Sequence, residues 1–543
     1  MNYKLKSKQF LNTRFLKTFL LAIFLIVTFQ YIDSSSISGE NERISQTSAR
    51  PNLLFIMMDQ QRFDAMSCAG NTVLKTPNID RMAREGVIFR NAYSANPVCV
   101  PSRAVFLTGH SPVNVRVENN FDYSSKDIPD VPTFDKILTE NGYAAEYYGK
   151  WHAPYQFAAC YDNEVKVVVN EKGLPSEVKA YQDWLVSKGV TKKEPGKGEL
   201  FSEKNQRPYK PIGLDYNEDM ADSDLDKKMK LNVMQVTQYG RIDLPPNVSY
   251  ASFTANETLG ALDRMKDGPF TLTCSFDPPH PPMIIQEPYY SMYSPESIPV
   301  PENIDDSMED SPYKQRSNQG DQKRYRDKKQ IQNMRSIYYG MVKETDDKIG
   351  EILKKLDDLG LADNTLVIFT SDHGEMLGDH GMHSKMIFYE GSVHVPLIMR
   401  FPGRIKPGTI VENPVSTMDV FSTILDYMDM PIPQNNGISL RPFIEGKPVE
   451  HDVVSYSKGG NTPNYMIRSG NLKLMMGQDE KNKCVSALYD LKVDPLEMRN
   501  LITSSISPEK NREQAEMMKG RLVKWLAEHE PNKVVDLKKR ELY

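Results

Sequence analysis

The sequence predicts an α/β fold with a mainly parallel central sheet and a smaller α+β subdomain at the C-terminal end. Three observations carry this. Continuous apolar runs of strand length, "NLLFIMM" (52–58) and "TLVIFTS" (365–371) foremost, lack the alternation of a half-exposed strand and read as strands buried on both faces. Such runs alternate with helical segments closed by glycine. After about residue 450 the pattern changes to short strand-like pieces and one long helix.

In order along the chain, "MNYKLKSKQFLNTRFLK" is basic, and an eleven-residue apolar run, Phe19 to Phe29, follows it. This layout predicts a secretory signal peptide over 1–33 and a linker over 34–50, hence an exported protein, periplasmic or secreted. The apolar run is short for a comfortable membrane span, and an uncleaved anchor is the alternative. Next comes the strand 52–58, ended by Asp59. "TPNIDRMAREGVIF" reads as a capped helix with a glycine stop, and "SRAVFLTG" as a helix starting in the CVPSR segment. "TFDKILTENGYAAEYYGKWH" is helix, glycine stop, strand and polar tip; "PFTLTCSFDPPHPP" is a strand and a proline-rich loop. "MVKETDDKIGEILKKLDDLGLADNTLVIFTSDHGE" is a long amphipathic helix, a strand and acids, and "VPLIMRFPG" is one more strand. "YMIRSG", "LKLMM", "ALYDL" and the helix "EQAEMMKGRLVKWLAEH" make the C-terminal subdomain.

With 543 residues the chain is long enough for two packed domains, set here at 51–447 and 448–543. Residues 155–245 are polar and poor in periodicity, and read as an insertion over the sheet. The mixed-charge run within 305–335 reads as a solvated face or loop. A net charge of −5 argues against a nucleic-acid binder but leaves room for a local basic pocket that takes an anion. The five cysteines show no CxxC pair and no zinc spacing, and an odd number in an exported protein leaves at least one unpaired. Cys99 fits that role, since it sits at a polar entrance before Pro101, Ser102 and Arg103.

Polar residues gather just after strand ends: Asp59, Lys150, His152, His280, Asp372 and His373. In open α/β sheets this is the edge where ligands bind. Asp59-Gln60 and Asp372-His373 are oxygen-rich pairs with one imidazole, a set suited to a hard divalent cation. Arg103, Lys150, His152, His280 and Lys385 add groups able to hold an oxyanion or move a proton.

Cys99-Val100-Pro101-Ser102-Arg103 followed by "AVFLTG" resembles the signature of the type I sulfatases, C-x-P-S-R…TG. Ordinary residue usage yields C-x-P-S-R in roughly one chain in a thousand of this length. "NLLFIMMDQQR", "YYGKWH" and "TSDHGEMLGDHG" stand around it in the family's order, and the resemblance spans roughly residues 50 to 500.

The resemblance implies an alkaline-phosphatase-like α/β sandwich and a cysteine oxidised after translation to formylglycine by a maturating enzyme. It implies that Asp59, Gln60, Asp372 and His373, with the modified Cys99, hold one divalent cation, most often Ca²⁺. Arg103 would orient the hydrated aldehyde and Lys150 would bridge it to sulfate. His152 would take a proton as sulfate is freed, and His280 and Lys385 would bind the ester and protonate the leaving oxygen. Gln60 stands where the commonest pattern has a second Asp, and His373 where it has Asn, which makes the site less negative. Similar choices resemble those of some carbohydrate sulfatases, phosphonate monoester hydrolases and choline sulfatases. The expectation is therefore an exported sulfatase acting on a sulfated polysaccharide or its oligosaccharides. The alternatives are a phosphonate or phosphate diester hydrolase, a choline-sulfatase-like enzyme, and a non-catalytic glycan-binding protein on the same scaffold.

Overall fold

The central sheet takes the apolar runs as its strands: β1 (Asn52–Met58), β2 (Val87–Tyr93), β3 (Ala144–Gly149), β4 (Phe270–Phe276), β5 (Thr365–Ser371), β6 (His394–Val395), β7 (Leu397–Arg400) and β8 (Thr409–Ser416). Their order is β6-β2-β7-β5-β1-β4-β3, with β8 beside β2. This computed structural model describes residues 50–161, 176–189, 200–202, 208–209, 238–241, 245, 247–317, 325–459, 462–477 and 486–542. The expected signal segment, the linker before Arg50 and most of the expected insertion lie outside those residues.

Strand β1 explains the two-layer architecture. Leu53, Phe55 and Met57 face a core shared with helix α2 (Cys99–Thr108) and helix α5 (Asp419–Tyr427). Leu54, Ile56 and Met58 face a second core built with α1 (Pro77–Glu85), α3 (Tyr250–Met265) and α4 (Lys328–Asp358). Successive side chains point to opposite faces, so a strand covered by helices on both sides must be apolar throughout. This is why the run showed no alternation.

β1, β3, β4 and β5 are mutually parallel, whereas β7 runs antiparallel to β5 and β2, so the sheet is mixed. The register places Met58 opposite both Phe276 and Ser371, and Gly149 opposite Ser275. Asp59, Asp277, Asp372 and Lys150 therefore leave the sheet side by side at one edge. Gly149 is required there: its φ is +87°, and a Cβ would lie 1.9 Å from the Ser275 carbonyl oxygen.

The sequence reading starts the long helix at Met341, yet α4 begins at Lys328, capped by Asp327 accepting from the Gln330 N–H. Charges and Gly340 obscured its first turns. Gly340 serves packing, since a Cβ would meet the Tyr289 carbonyl oxygen at 2.5 Å. Part of the mixed-charge run thus lies on this helix, and 318–324 lie outside the described residues.

C-terminal to this layer, β9 (Val453–Gly459), β10 (Thr462–Ser469), β11 (Leu472–Met476) and β12 (Ser486–Asp490) form an antiparallel sheet. One face packs through Tyr465, Ile467, Leu474 and Leu488 on α6 (Pro508–His529), at Ala515, Met518, Leu522 and Leu526. The sequence reading contained the last three strands but not β9. Cys68, Cys99, Cys160 and Cys274 are free thiols, and Cys484 lies outside the described residues. Among the described residues no helix is long and apolar enough to cross a membrane.

Candidate active site

Cys99 opens α2 and Arg103 follows four residues later, so both project from one helix face toward the edge of the sheet. The polar entrance expected for Cys99 is sealed: the residue is 1% exposed. Its Sγ lies 3.2 Å from His373 Nε2, accepts from Lys385 Nζ at 3.2 Å, and takes a hydrogen bond from His152. Burial and Asp59 push the thiol up, but Lys385, His373 and the His152 bond outweigh them and hold it well below its ordinary value.

Asp59 and Asp372 flank this sulfur, both fully buried. Asp59 Oδ2 accepts from Arg103 Nη2 at 3.0 Å and pairs with Lys150 Nζ at 2.8 Å, while Oδ1 has no hydrogen-bond partner among the described residues. Burial opposes its charge, yet Lys150, His280 and Arg103 hold Asp59 well below the carboxylate range. Asp372 goes the other way, pushed up to about 6 by burial and by the charge of Asp59. Asp372 Oδ1 accepts from the N–H groups of Gln60 at 3.0 Å and His373 at 2.9 Å, and Oδ2 accepts from Arg103 Nε at 3.0 Å.

The remaining expected residues join the same cluster. Arg103 Nη1 donates to the Lys150 carbonyl at 2.7 Å and Ser275 Oγ at 2.9 Å, so each guanidinium nitrogen has a buried acceptor. Lys150 also pairs with Asp277 Oδ1 at 2.9 Å. Gln60, at φ 71°, accepts on Oε1 from Lys385 Nζ at 2.6 Å. His152 is half-buried with its Nδ1 sealed from water, and this desolvation lowers its imidazole below the ordinary histidine value. His280 holds its Nδ1 2.6 Å from the Pro281 carbonyl oxygen and places Nε2 4.0 Å from Asp59 Oδ1. Every residue singled out in the sequence is thus gathered at one edge of the sheet.

Two contributors were passed over: Asp277, which holds Lys150, and Glu375, which accepts from the Gln60 amide. Asp277 was within reach of the rule that found Asp59, since it is the first residue after β4. Nothing in the local pattern marks Glu375 apart from its nearness to Asp372.

A divalent cation fits these groups. Ligand atoms of Asp59, Cys99, Asp372 and His373 lie within 4.8 Å of one another. The unpartnered Oδ1 of Asp59 is a buried acceptor without a donor, which a cation would satisfy. His373 Nδ1 lies 3.0 Å from the Gly374 carbonyl oxygen, so Nδ1 carries a hydrogen and Nε2, on the side of the cluster, is the nitrogen that would bind a cation on giving up its own proton.

The family model for Sulfatase matches residues 51–430, well over half of the chain. The chain belongs to the sulfatase family. This sulfatase, a sulfuric ester hydrolase, also matches the model for N-sulphoglucosamine sulphohydrolase, C-terminal, over residues 378–528. It is 29% identical over 496 residues to an arylsulfatase of Clostridium perfringens, covering 88% of this chain and 94% of that one. It is 29% identical over 512 residues to an N-acetylglucosamine-6-O-sulfatase of Bacteroides thetaiotaomicron, with 87% and 86% coverage. Among solved structures, a phosphonate monoester hydrolase of Agrobacterium radiobacter superposes with a TM-score of 0.66 at 25% identity, over 88% of this chain and 96% of that one. The alkaline-phosphatase-like sandwich and the smaller C-terminal sheet agree with these likenesses.

Proposed function

We propose that this sulfatase is exported and removes sulfate from a carbohydrate, using Cys99 converted to formylglycine and one divalent cation, Ca²⁺ by preference. The observation that carries the reading is the convergence on the Cys99 side chain of His373, Lys385 and His152 beside two strand-end carboxylates. The Cys99 sulfur stands in the place of a formylglycine oxygen. Hydrated formylglycine supplies two hydroxyls on one carbon, one to attack sulfur and one whose deprotonation lets sulfate go. A bound cation supplies the positive charge that acidifies a hydroxyl and neutralises sulfate oxygens.

This chain's own residues do the rest. Asp59, Gln60, Asp372 and His373 hold the cation. Arg103 fixes the two carboxylates relative to each other. Lys150 and Lys385 keep ammonium groups beside the reacting centre, preorganised for an anion. His152, with its pKa lowered by burial, is neutral at pH 7 and accepts a proton from a hydroxyl at position 99. His280 keeps its side chain 26% exposed at the cluster and, with Lys385, protonates the leaving oxygen.

That provision of acids supports a sugar ester, because a sugar alkoxide leaves poorly without a proton. The N-acetylglucosamine-6-O-sulfatase relative supports it as well. Export is proposed from the basic and apolar N-terminal segment, and a formylglycine-generating enzyme is the maturation partner.

A panel of sulfated oligosaccharides, assayed for free sulfate beside phosphonate monoesters and phosphate diesters, tests the proposal. Sulfate release from a sugar is the expected result. The second reading, a phosphonate or phosphate diester hydrolase, is favoured by the likeness to the phosphonate monoester hydrolase and by Gln60 in place of a second Asp. It is the correct one if only those esters are cleaved.

A further inference from the structure

Gln60 is clamped at both ends of its backbone. Its N–H donates to Asp372 Oδ1 at 3.0 Å, and its carbonyl accepts from the Tyr338 hydroxyl at 2.8 Å. With φ at 71° the residue is held in a left-handed conformation rare for a side-chain-bearing residue. The direction of the side chain is therefore set, and one choice remains: which end of the amide faces Cys99 and which faces away.

Two neighbours make that choice. Oε1 accepts from Lys385 Nζ at 2.6 Å, and Nε2 donates to Glu375 Oε2. An ammonium has only donors and a carboxylate offers acceptors, so the flipped amide would set donor against donor and acceptor against acceptor. Glu375 cannot swing aside. It is 1% exposed, its Oε1 accepts from the N–H groups of Ser384 and Leu377, and its own carbonyl accepts from Arg62 Nη1 at 2.8 Å. Lys385 in turn donates to Cys99 Sγ at 3.2 Å, so a line of hydrogen bonds runs from Glu375 through Gln60 and Lys385 to the reacting position.

We infer that Glu375 is a positioning residue: it turns the Gln60 amide oxygen toward the metal cluster and thereby sets the affinity of the site for its cation. The inference rests on the metal reading given above. Where a carboxylate at this position, with two like oxygens, would need no such orientation, an amide ligand does, because only one of its ends can bind a cation. Glu375 supplies the acceptor that holds the wrong end away.

The substitution Glu375→Gln isolates this role. Its remaining oxygen still accepts from Ser384 and Leu377, so the new NH₂ must face Gln60. The Gln60 amide then turns over, presenting NH₂ to Lys385 and withdrawing its oxygen from the cluster. Calorimetric titration of Ca²⁺ into chelator-treated protein that retains the Cys99 thiol reads the effect without turnover. The expected loss of Ca²⁺ affinity is about 10–100-fold, with the metal-free thermal midpoint little changed. The exchange variant, Gln60→Glu with Glu375→Gln, restores an acceptor facing both Lys385 and the new NH₂, and is expected to recover most of that affinity. It also decides the matter if Glu375→Gln alone fails to fold. Wild-type affinity in folded Glu375→Gln, or an exchange variant that recovers nothing, overturns the inference while leaving the metal reading in place. No Ca²⁺ uptake by the wild-type protein removes the metal reading itself, and this inference with it.

Discussion

Arg103 Nε donates to Asp372 Oδ2 at 3.0 Å, while the same guanidinium reaches Asp59 Oδ2 at 3.0 Å, with all three side chains sealed from water. One planar cation thus bridges the carboxylates that end β1 and β5. A bidentate bridge of this kind depends on the fork as much as on the charge. Arg103→Met leaves two buried carboxylates uncompensated and is expected to cost about 3–5 kcal/mol of stability. Arg103→Lys retains charge but reaches only one carboxylate, and should unfold at an intermediate denaturant concentration while remaining inactive. Denaturant midpoints for the three proteins check the order.

Metal removal should act on stability as well as on turnover, because a cation that binds only the folded chain stabilises it by mass action. Exhaustive chelation is expected to abolish sulfate release and lower the thermal midpoint, and Ca²⁺ to restore both. Asp372→Asn should lose most of the Ca²⁺-dependent rise in midpoint while keeping the fold. Full activity after chelation would contradict the metal assignment.

Far from the metal cluster, Asp135 gives a pH signature. It is fully buried, accepts from the hydroxyls of Tyr161 and Thr271 at 2.5 Å each, and is pushed up to about 6 by burial. The unfolded chain titrates it near about 4. The native state therefore holds this proton more tightly, so the Asp135 contribution is most favourable below about pH 4 and is lost as pH rises through 6. Asp135→Asn carries no such proton. Between pH 4 and 7 the unfolding free energy of the variant should gain about 2 kcal/mol on that of the wild type. Parallel denaturation curves across that range measure it.

The sheet and its edge were legible in the sequence because burial on both faces forces unbroken apolar runs, and the acids at their ends stand out against them. "NLLFIMM" before Asp59 and "TLVIFTS" before Asp372 are the clearest cases. The signature around Cys99 led to the right cluster, and the helix read as starting in the CVPSR segment does start at Cys99, but the burial of Cys99 was not legible, since the polar residues beside it suggest an open entrance. The first turns of α4 were missed because Gly340 and the surrounding charges look unhelical, although the glycine is there for the Tyr289 carbonyl. Glu375 was invisible for a different reason. Its role depends on Gln60, 315 residues away in sequence, and only the folded chain brings them together.

The identity of the leaving group should show in His280. A phenolate departs with little help, whereas a sugar alkoxide needs a proton. His280→Ala is expected to lower kcat/KM about 10²–10⁴-fold on a sugar sulfate and much less on an aryl sulfate. Equal losses on both would assign His280 to binding rather than to proton donation.

The central claim is that the working residue at position 99 is an aldehyde rather than a thiol, and mass spectrometry of the peptide spanning Cys99 tests it most directly. In active protein that peptide should show the loss of H₂S and the gain of O relative to the encoded cysteine. Across preparations made with and without a maturating enzyme, specific activity should rise in proportion to the fraction converted. Protein expressed without the maturating enzyme should fold, bind Ca²⁺ and turn over nothing. Fully active enzyme carrying only the unmodified Cys99 thiol would contradict the account.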